Sequence, residues 1–432
     1  MNILDINFIQ LLRDCYDDYN RTKSEYFKSY EYYIGNCDSI KNYKMITERS
    51  NNKCCVNYIK KFVKEEVSYS LGNTINYISK SDDKNIINSI DYHITSSWKA
   101  NHDIQLANKM ILFGEAYEIY YLNSDGEFKS KIVDPRFGYV YEDELGNIIL
   151  FMHMFKKQFD KTNKTYVDVY LKDRILHYDD TFSREISPET PHLFGEVPVG
   201  IARISDSGIY DTLYKDIQGL QDAYITNLSD ISNEISDFRN AYLTITGVEL
   251  TEEQAKLMKK NGILQIPNED GKVNWLVKSI NDSFIQNTLS TLEDKMYELT
   301  SHINHNVNLA SNVSGVALRS RLIALEQRCS INQKAFENLL RKRLKLLFKF
   351  LAIRYGTQFD YKDVKIKFTP NIPVDDQANA QIISQLGDKL SLETALSLLS
   401  FIENPQNEID KIKKDNEQLI NGSFLLGDDL HE

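Results

Sequence analysis

His302 and His305 stand three residues apart, and Glu298 precedes them by one helical turn. On a helix this spacing puts the imidazoles on one face, which is how a zinc site begins. A structural zinc site needs four ligands, and nothing beyond Glu298 is near in sequence, so packing or solvent-facing histidines are the expectation. His177, Asp179 and Asp180 form a second cluster, read as a polar turn within a sheet region. Cys54 and Cys55 fall on what reads as the apolar face of a helix over 51–72, where they would pack as inert thiols. The chain has no GxxxxGK[ST], GxGxxG, GxSxG, HExxH or CxxC pattern. The reading is a non-enzyme: no catalytic residue, no metal site and no cofactor.

The elements that carry these residues are those of an ordinary globular protein of 432 residues, 42% hydrophobic and 26% charged. Gly and Pro together number only 26, which favours long regular elements over a turn-rich sandwich or barrel. Net charge is −11, whereas a duplex-DNA binder usually carries a basic excess. No apolar run approaches the length of a membrane helix, and the first residues show no secretory leader. Five cysteines, an odd number that includes an adjacent pair, point to free thiols in a reducing compartment.

Residues 1 to about 110 read as helical, with runs over 51–72 closing at Gly72 and 85–113 closing at Gly114. Strand-like runs at Ala116–Leu122, Ser130–Val133, Tyr139–Tyr141, Ile148–Phe155 and Thr165–Leu171 alternate with turns rich in Asn, Asp and Gly, so 114–185 reads as one small antiparallel sheet. The Pro/Gly-rich stretch 186–200 reads as a junction.

Ile209, Leu213, Ile217, Leu220, Tyr224, Leu228, Ile231, Ile235 and Phe238 then step by three or four, marking one long amphipathic helix. Its other faces are acidic: Asp206, Asp211, Asp216, Asp222, Asp230, Glu234 and Asp237 face only Lys215 and Arg239. An α/β insert follows, with a strand at Tyr242–Thr246, a capping box at Thr251–Gln254 and a hairpin of Ile263–Ile266 with Val273–Val277. A second stripe of Ile285, Leu289, Leu292, Met296, Leu299 and Ile303 makes a second long helix. The uncharged segment 305–315 reads as a loop, and 316–355 as a third long helix with a local net charge of +8, kinked near 330–332. A strand at Val364–Phe368, helices over about 375–387 and 391–402, and a charged helix over 406–418 complete the chain.

This order resembles the portal proteins of tailed bacteriophages, particularly those of siphophages with Gram-positive hosts, from near the N-terminus to about residue 418. The resemblance is carried by Asn52 through Tyr69-Ser-Leu-Gly72, Gly114-Glu-Ala-Tyr-Glu118 with Val133-Asp-Pro135, Phe194-Gly-Glu-Val-Pro-Val199, Ser314-Gly-Val-Ala-Leu318, Phe368-Thr-Pro-Asn-Ile-Pro373, and Pro405-x-x-Glu408-Ile-x-x-Ile412-Lys-Lys414. It implies an α+β, mainly helical portal fold. Residues 1–205 would be the wing, 206–240 and 281–305 the stem helices, and 241–280 the clip. Residues 306–315 would be the tunnel loop, 316–374 a wing or tunnel helix with a returning strand, and 375–432 a short crown and tail.

The resemblance also implies a ring, usually of twelve subunits, at one capsid vertex of the virion, assembled in the host cytoplasm. Double-stranded DNA would pass through it during packaging and ejection. Terminase, a head-completion adaptor, and the major capsid and scaffolding proteins would be its partners, and no membrane is involved. Asn306, Asn308, Ser311 and Asn312 would then face DNA from the tunnel loop, and Asp211, Asp216, Asp222, Asp230, Glu234 and Asp237 would line an acidic stem. Lys256, Lys259 and Lys260 would be a docking cluster on the clip. Arg319, Arg321, Arg341, Lys342 and Arg343 would be the basic helix, able to pair with a neighbour's acidic stem. An acidic wall and an uncharged loop suit a conduit, because phosphate–Lys/Arg contacts supply most non-specific DNA affinity. The rival readings are a helical scaffold that binds protein partners, and a nucleic-acid-processing enzyme with a dispersed site.

Overall fold

The computed structural model describes residues 3–44, 50–162, 164–183, 185–238, 242–246, 251–253, 256, 272–276, 282–304, 315–369 and 376–399, with scattered positions from 402 to 414. The chain divides into two compact units, 1–309 with 321–370, and 310–320 with 371–432.

The first unit opens with helix α1 (Ile3–Ile34) and the short α2 (Asp38–Asn42). Helix α3 (Tyr58–Leu71) begins seven residues later than the sequence suggests, because the Asn57 side chain accepts the Lys60 N–H at 2.9 Å and caps it. Cys54 and Cys55 therefore lie in extended chain before the helix, Cys54 half-buried and Cys55 exposed, and not on an apolar helix face. Strand β1 (Asn76–Ser79) follows within a region read as all-helical. It pairs with β12 (Val364–Lys367), a partner almost 290 residues away that no local pattern announces. The single helix read over 85–113 is broken into α4 (Lys84–Ile90), a π-helical turn (Asp91–Thr95) and α5 (His102–Phe113). Gly114 ends α5 in the left-handed region, φ +79°, and a Cβ there would meet the Gly208 carbonyl oxygen at 2.3 Å. Only glycine allows that approach.

The β region forms two sheets instead of one. One has the order β3-β2-β9 (Phe128–Val133, Glu115–Leu122, Val199–Arg203). The other has the order β4-β5-β6-β7-β8 (Gly138–Glu142, Ile148–Phe155, Tyr166–Tyr170, Arg174–Asp179, Ser187–Pro191). Every pair described in them is antiparallel. Strands β8 and β9 occupy much of the stretch read as a junction. The prolines Pro188 and Pro191 sit on β8, an edge strand, where a missing N–H costs no ladder bond.

Helix α6 (Leu213–Phe238) runs out to a two-stranded ribbon, β10 (Tyr242–Thr246) with β11 (Lys272–Leu276), and α7 (Asp282–Thr300) returns. Strand β11 pairs with β10; residues 263–266, read as the other arm of a hairpin with 273–277, lie outside the described residues. Helix α8 spans Gly315–Tyr355. The largest core joins α3, α5, α6 and α8 through Phe62, Val63, Met110, Phe113, Ile217, Phe336, Leu340 and Leu347, all essentially buried. In the second unit, α9 (Asp376–Leu386) is followed by α10 (Leu392–Ser397), capped by Ser391. The Asn379 amide donates to the Leu398 carbonyl at 2.8 Å.

Candidate functional site: the α6–α7 hairpin and the charged helix α8

Helices α6 and α7 pack along one another as an antiparallel pair. Tyr58 touches both Tyr224 in mid-α6 and Tyr297 near the end of α7, with ring centroids 5.5 and 6.1 Å apart. On α7 the buried positions drift. Ile285, Leu289 and Leu292 are half-buried, but by the last turn Met296, Tyr297 and Thr300 are inside and Leu299 is 54% exposed. The sequence stripe repeats every 3.5 residues and a straight helix every 3.6, so the stripe rotates by about 20° per heptad out of the packed face. Ile235 on α6 and Phe284 on α7 are likewise exposed, at 57% and 69%.

The face of α6 read as acidic has a second job that the sequence did not reveal. Gln221, Ser229 and Asn233 are fully buried. They hydrogen-bond main-chain N–H groups of the extended segment before α3 and of the first turn of α3 itself. Gln221 accepts the Ile59 N–H at 3.1 Å, Ser229 the Cys54 N–H at 3.0 Å, and Asn233 the Asn52 N–H at 2.6 Å. The spacing of 8 and 4 places the three on one face. Buried main-chain donors without such partners would each cost about 1–3 kcal/mol. A buried polar stripe inside an amphipathic helix was the available signal.

The acidic residues divide. Asp222 accepts the Tyr32 hydroxyl and, at 3.2 Å, the Ser39 N–H. Asp230 accepts the Tyr43 hydroxyl at 2.6 Å. Burial first, then the neighbouring carboxylate, raises the pKa of both tyrosines, which stay protonated donors. Asp216 lies 3.7 Å from Arg328 of the same chain. Asp222, Asp230 and Asp216 are thus engaged within the subunit and are not bare wall charges. Asp211 is exposed, and Glu234 lies half-buried beside the Tyr43 groove. Of Asp237 only the helical backbone is described.

The basic helix departs furthest from the expectation that its cations pair with a neighbour's acidic stem. Arg343 is completely buried. Its guanidinium forks onto Glu118 (3.0 and 3.0 Å) and reaches Asp103 at 2.7 Å. His102 and the Tyr120 hydroxyl complete the Glu118 shell at 2.6 and 2.7 Å. Burial alone would raise the Glu118 pKa; Arg343 and His102 overcome it and hold it down at about 2. Arg341 pairs with Glu337 of its own helix, and Lys342 with Glu196. A neighbouring subunit's acidic stem cannot reach Arg343, so the expected cross-subunit pairing does not include it. The helical backbone at Arg319 and Arg321 is described, but not their side chains.

Lys256 is exposed and lies 3.7 Å from Glu252. Lys259 and Lys260 lie outside the described residues, as do Asn306, Asn308, Ser311 and Asn312.

His302 is buried and stacked on Phe62, with both ring nitrogens within reach of main-chain carbonyls, Thr300 at 2.8 Å and Phe62 at 3.2 Å. Burial and then Arg328 lower its pKa to about 3, so it packs as a neutral imidazole. His305 lies outside the described residues. His177 bridges Asp168 (2.7 Å) and Thr190 (3.0 Å) on β7, inside the sheet instead of at a turn. Among the described residues no group of three or more His, Cys, Asp or Glu could hold a metal ion, and no helix is long and apolar enough to cross a membrane.

A long helix pair carrying a β ribbon at its far end, followed by a charged helix locked into an α+β body, is the architecture that the resemblance predicts for a portal subunit. Residues 12–422 match the family described as phage portal protein, SPP1 Gp6-like, and the chain belongs to that family. It is 22% identical over 415 residues to the portal protein of Bacillus phage SPP1, covering 88% of this chain and 79% of that one. Solved structures similar to it include the virion of a native gene transfer agent particle (10% identity, TM-score 0.44) and the neck of such a particle computed with C12 symmetry (11%, TM-score 0.45). Each covers 79% of this chain and 88% of its own.

Proposed function

We propose that this chain is the subunit of a closed ring, of about twelve copies, that forms the conduit for double-stranded DNA at one vertex of a virion. It works without catalysis of its own, and an external terminase supplies the energy of packaging. The observation that carries this reading is the family match across 12–422, with the α6–α7 hairpin as stem and the β10–β11 ribbon within the clip. The clip would dock terminase and later a head-completion adaptor; capsid and scaffolding proteins would hold the wing, and the second unit would form a short crown. The tunnel-loop and clip-lysine roles expected for Asn306, Asn308, Ser311, Asn312, Lys256, Lys259 and Lys260 belong to this proposal.

Physical chemistry supports it in two ways. A ring joins unlike faces of successive subunits, and Ile235, Phe284 and Leu299 are apolar positions on the stem pair that a neighbour would cover. The chain's net charge of −11 leaves no general grip on a polyanion that must slide. Electron microscopy of the purified protein, viewed down the particle axis, tests the reading. Closed rings with a hole wide enough for duplex DNA are expected. Monomers or dimers under assembly-permissive conditions would overturn it in favour of a helical scaffold.

A further inference from the structure

Lys342, Lys345 and Lys349 occupy positions i, i+3 and i+7 of α8, one face over about 10 Å of helix. A single carboxylate serves them: one oxygen of Glu196 takes Lys342 at 2.5 Å and Lys345 at 2.9 Å. The Lys349 ammonium makes no hydrogen bond or ion pair among the described residues. It sits over Gly195, where an added Cβ would lie 2.7 Å from it. Gly195, at φ +62°, thus leaves the space that this ammonium occupies. Lys345 and Lys349, with Glu196, border an open groove of about 570 Å³ whose lining includes Phe348, Phe359 and Tyr361, and Lys342 stands behind them on Glu196. Three cations against one anion leave a local charge of +2 on a chain whose net charge is −11. Burial lowers the Lys342 pKa; Glu196 pulls it back up, and Lys345 and Lys349 add a smaller lowering.

We propose that this groove binds the phosphates of double-stranded DNA on the outside of the ring's channel, as a second, sequence-independent contact surface. The identity of the anion follows from the donor type. Carboxylates of a protein partner are best held by the planar fork of arginine, whereas lysine acts on phosphate as a point charge without geometric demand. The groove's cations are all lysines, while Arg343 and Arg341, the arginines of this stretch of α8, are committed to carboxylates inside the chain. The choice of duplex DNA rests on the portal reading, so the test separates the two.

Covalently closed circular duplex cannot thread a closed ring, so any binding to it is external. Its binding to the assembled protein is measured across a salt series for the native chain, the double variant Lys345→Ala/Lys349→Ala, Glu196→Gln, and Lys334→Ala as a control. Lys345 is 45% exposed and Lys349 is unbonded, so the double variant should fold; circular dichroism and ring formation confirm it. The expected result is roughly tenfold weaker binding by the double variant at low salt and a salt slope shallower by about 2. Glu196→Gln should bind more tightly, and Lys334→Ala unchanged. Rings that ignore the circle, or a double variant that binds it like the native chain, would overturn this proposal alone. Stronger capture of poly-glutamate than of DNA would overturn it in favour of an acidic protein partner. Failure to form rings would instead overturn the portal reading.

Discussion

Glu118 and Glu66 are both carboxylates almost wholly removed from water, and each faces an arginine of α8, yet their electrostatics run in opposite directions. Glu118 has a completely buried arginine in a two-bond fork, an imidazole and a phenol around it, and its pKa falls to about 2. Glu66 has one bond from Arg328 at 2.6 Å and one from Asn332 at 2.7 Å. Arg328 is partly wet and shared with Asp216, so burial wins and the Glu66 pKa is raised. One helix therefore carries two unlike anchors. The C-terminal half is tied to the β3-β2-β9 sheet by a charge cluster whose carboxylate at Glu118 is held ionised. The N-terminal half is tied to α3 by a carboxylate that can give up its charge. A buried charge is held by the number and dryness of its partners and not by the presence of an opposite charge alone.

The sharpest test of this contrast is Arg343→Met. It strands Glu118 and Asp103 without their cation and should cost about 3–5 kcal/mol in chemical denaturation. The matching change Arg328→Met should cost only about 1–2 kcal/mol, because Glu66 can take up a proton and cease to be an unpaired charge. Equal losses from the two would erase the distinction.

The pH dependence separates them by sign. Glu118 has a lowered pKa, so its stabilisation is complete above the ordinary glutamate range and drains away as pH falls from about 5 to about 2. Glu118→Gln should flatten that acid limb. Glu66 has a raised pKa, so its contribution is complete below the ordinary range and is lost as pH rises through the raised value. Glu66→Gln should remove that loss and leave stability near neutrality within about 1 kcal/mol of the native chain. Unfolding free energy measured from pH 3 to 8 for both variants reads the two limbs; the same sign in both would break the comparison.

The smallest effect is expected at Tyr32→Phe, which removes one hydrogen bond to Asp222 at a partly exposed site and should cost about 1 kcal/mol. No measurable change would mean that Asp222 rejoins solvent without penalty and acts as a wall charge after all.

What local sequence could show, it showed. Strands β2 to β6 were legible because period-two alternation and turn residues act over a few positions. Asn123 accepts the N–H groups of Asp125 and Glu127, and Asp143 those of Leu145 and Asn147, so each turn is closed by its own residues. Helices α6 and α7 were legible from their stripes, α8 as a long basic run, and the portal resemblance from the order of these parts. The remainder depended on partners far away in the chain. Strand β1 became a strand because β12 lies beside it, and β8 and β9 because β7 and β2 offered edges. Asp222 and Asp230 were spoken for by tyrosines nearly 190 residues upstream.

Arg343 shows the division most plainly. Ten cations on one helix determine that α8 is basic. Which of them meets solvent was decided only by tertiary packing, when Glu118 and Asp103 came within 3.0 Å of a single, completely buried guanidinium. A side chain's charge is a property of its residue type. Its solvation and its counter-ion are properties of whatever the fold brings next to it.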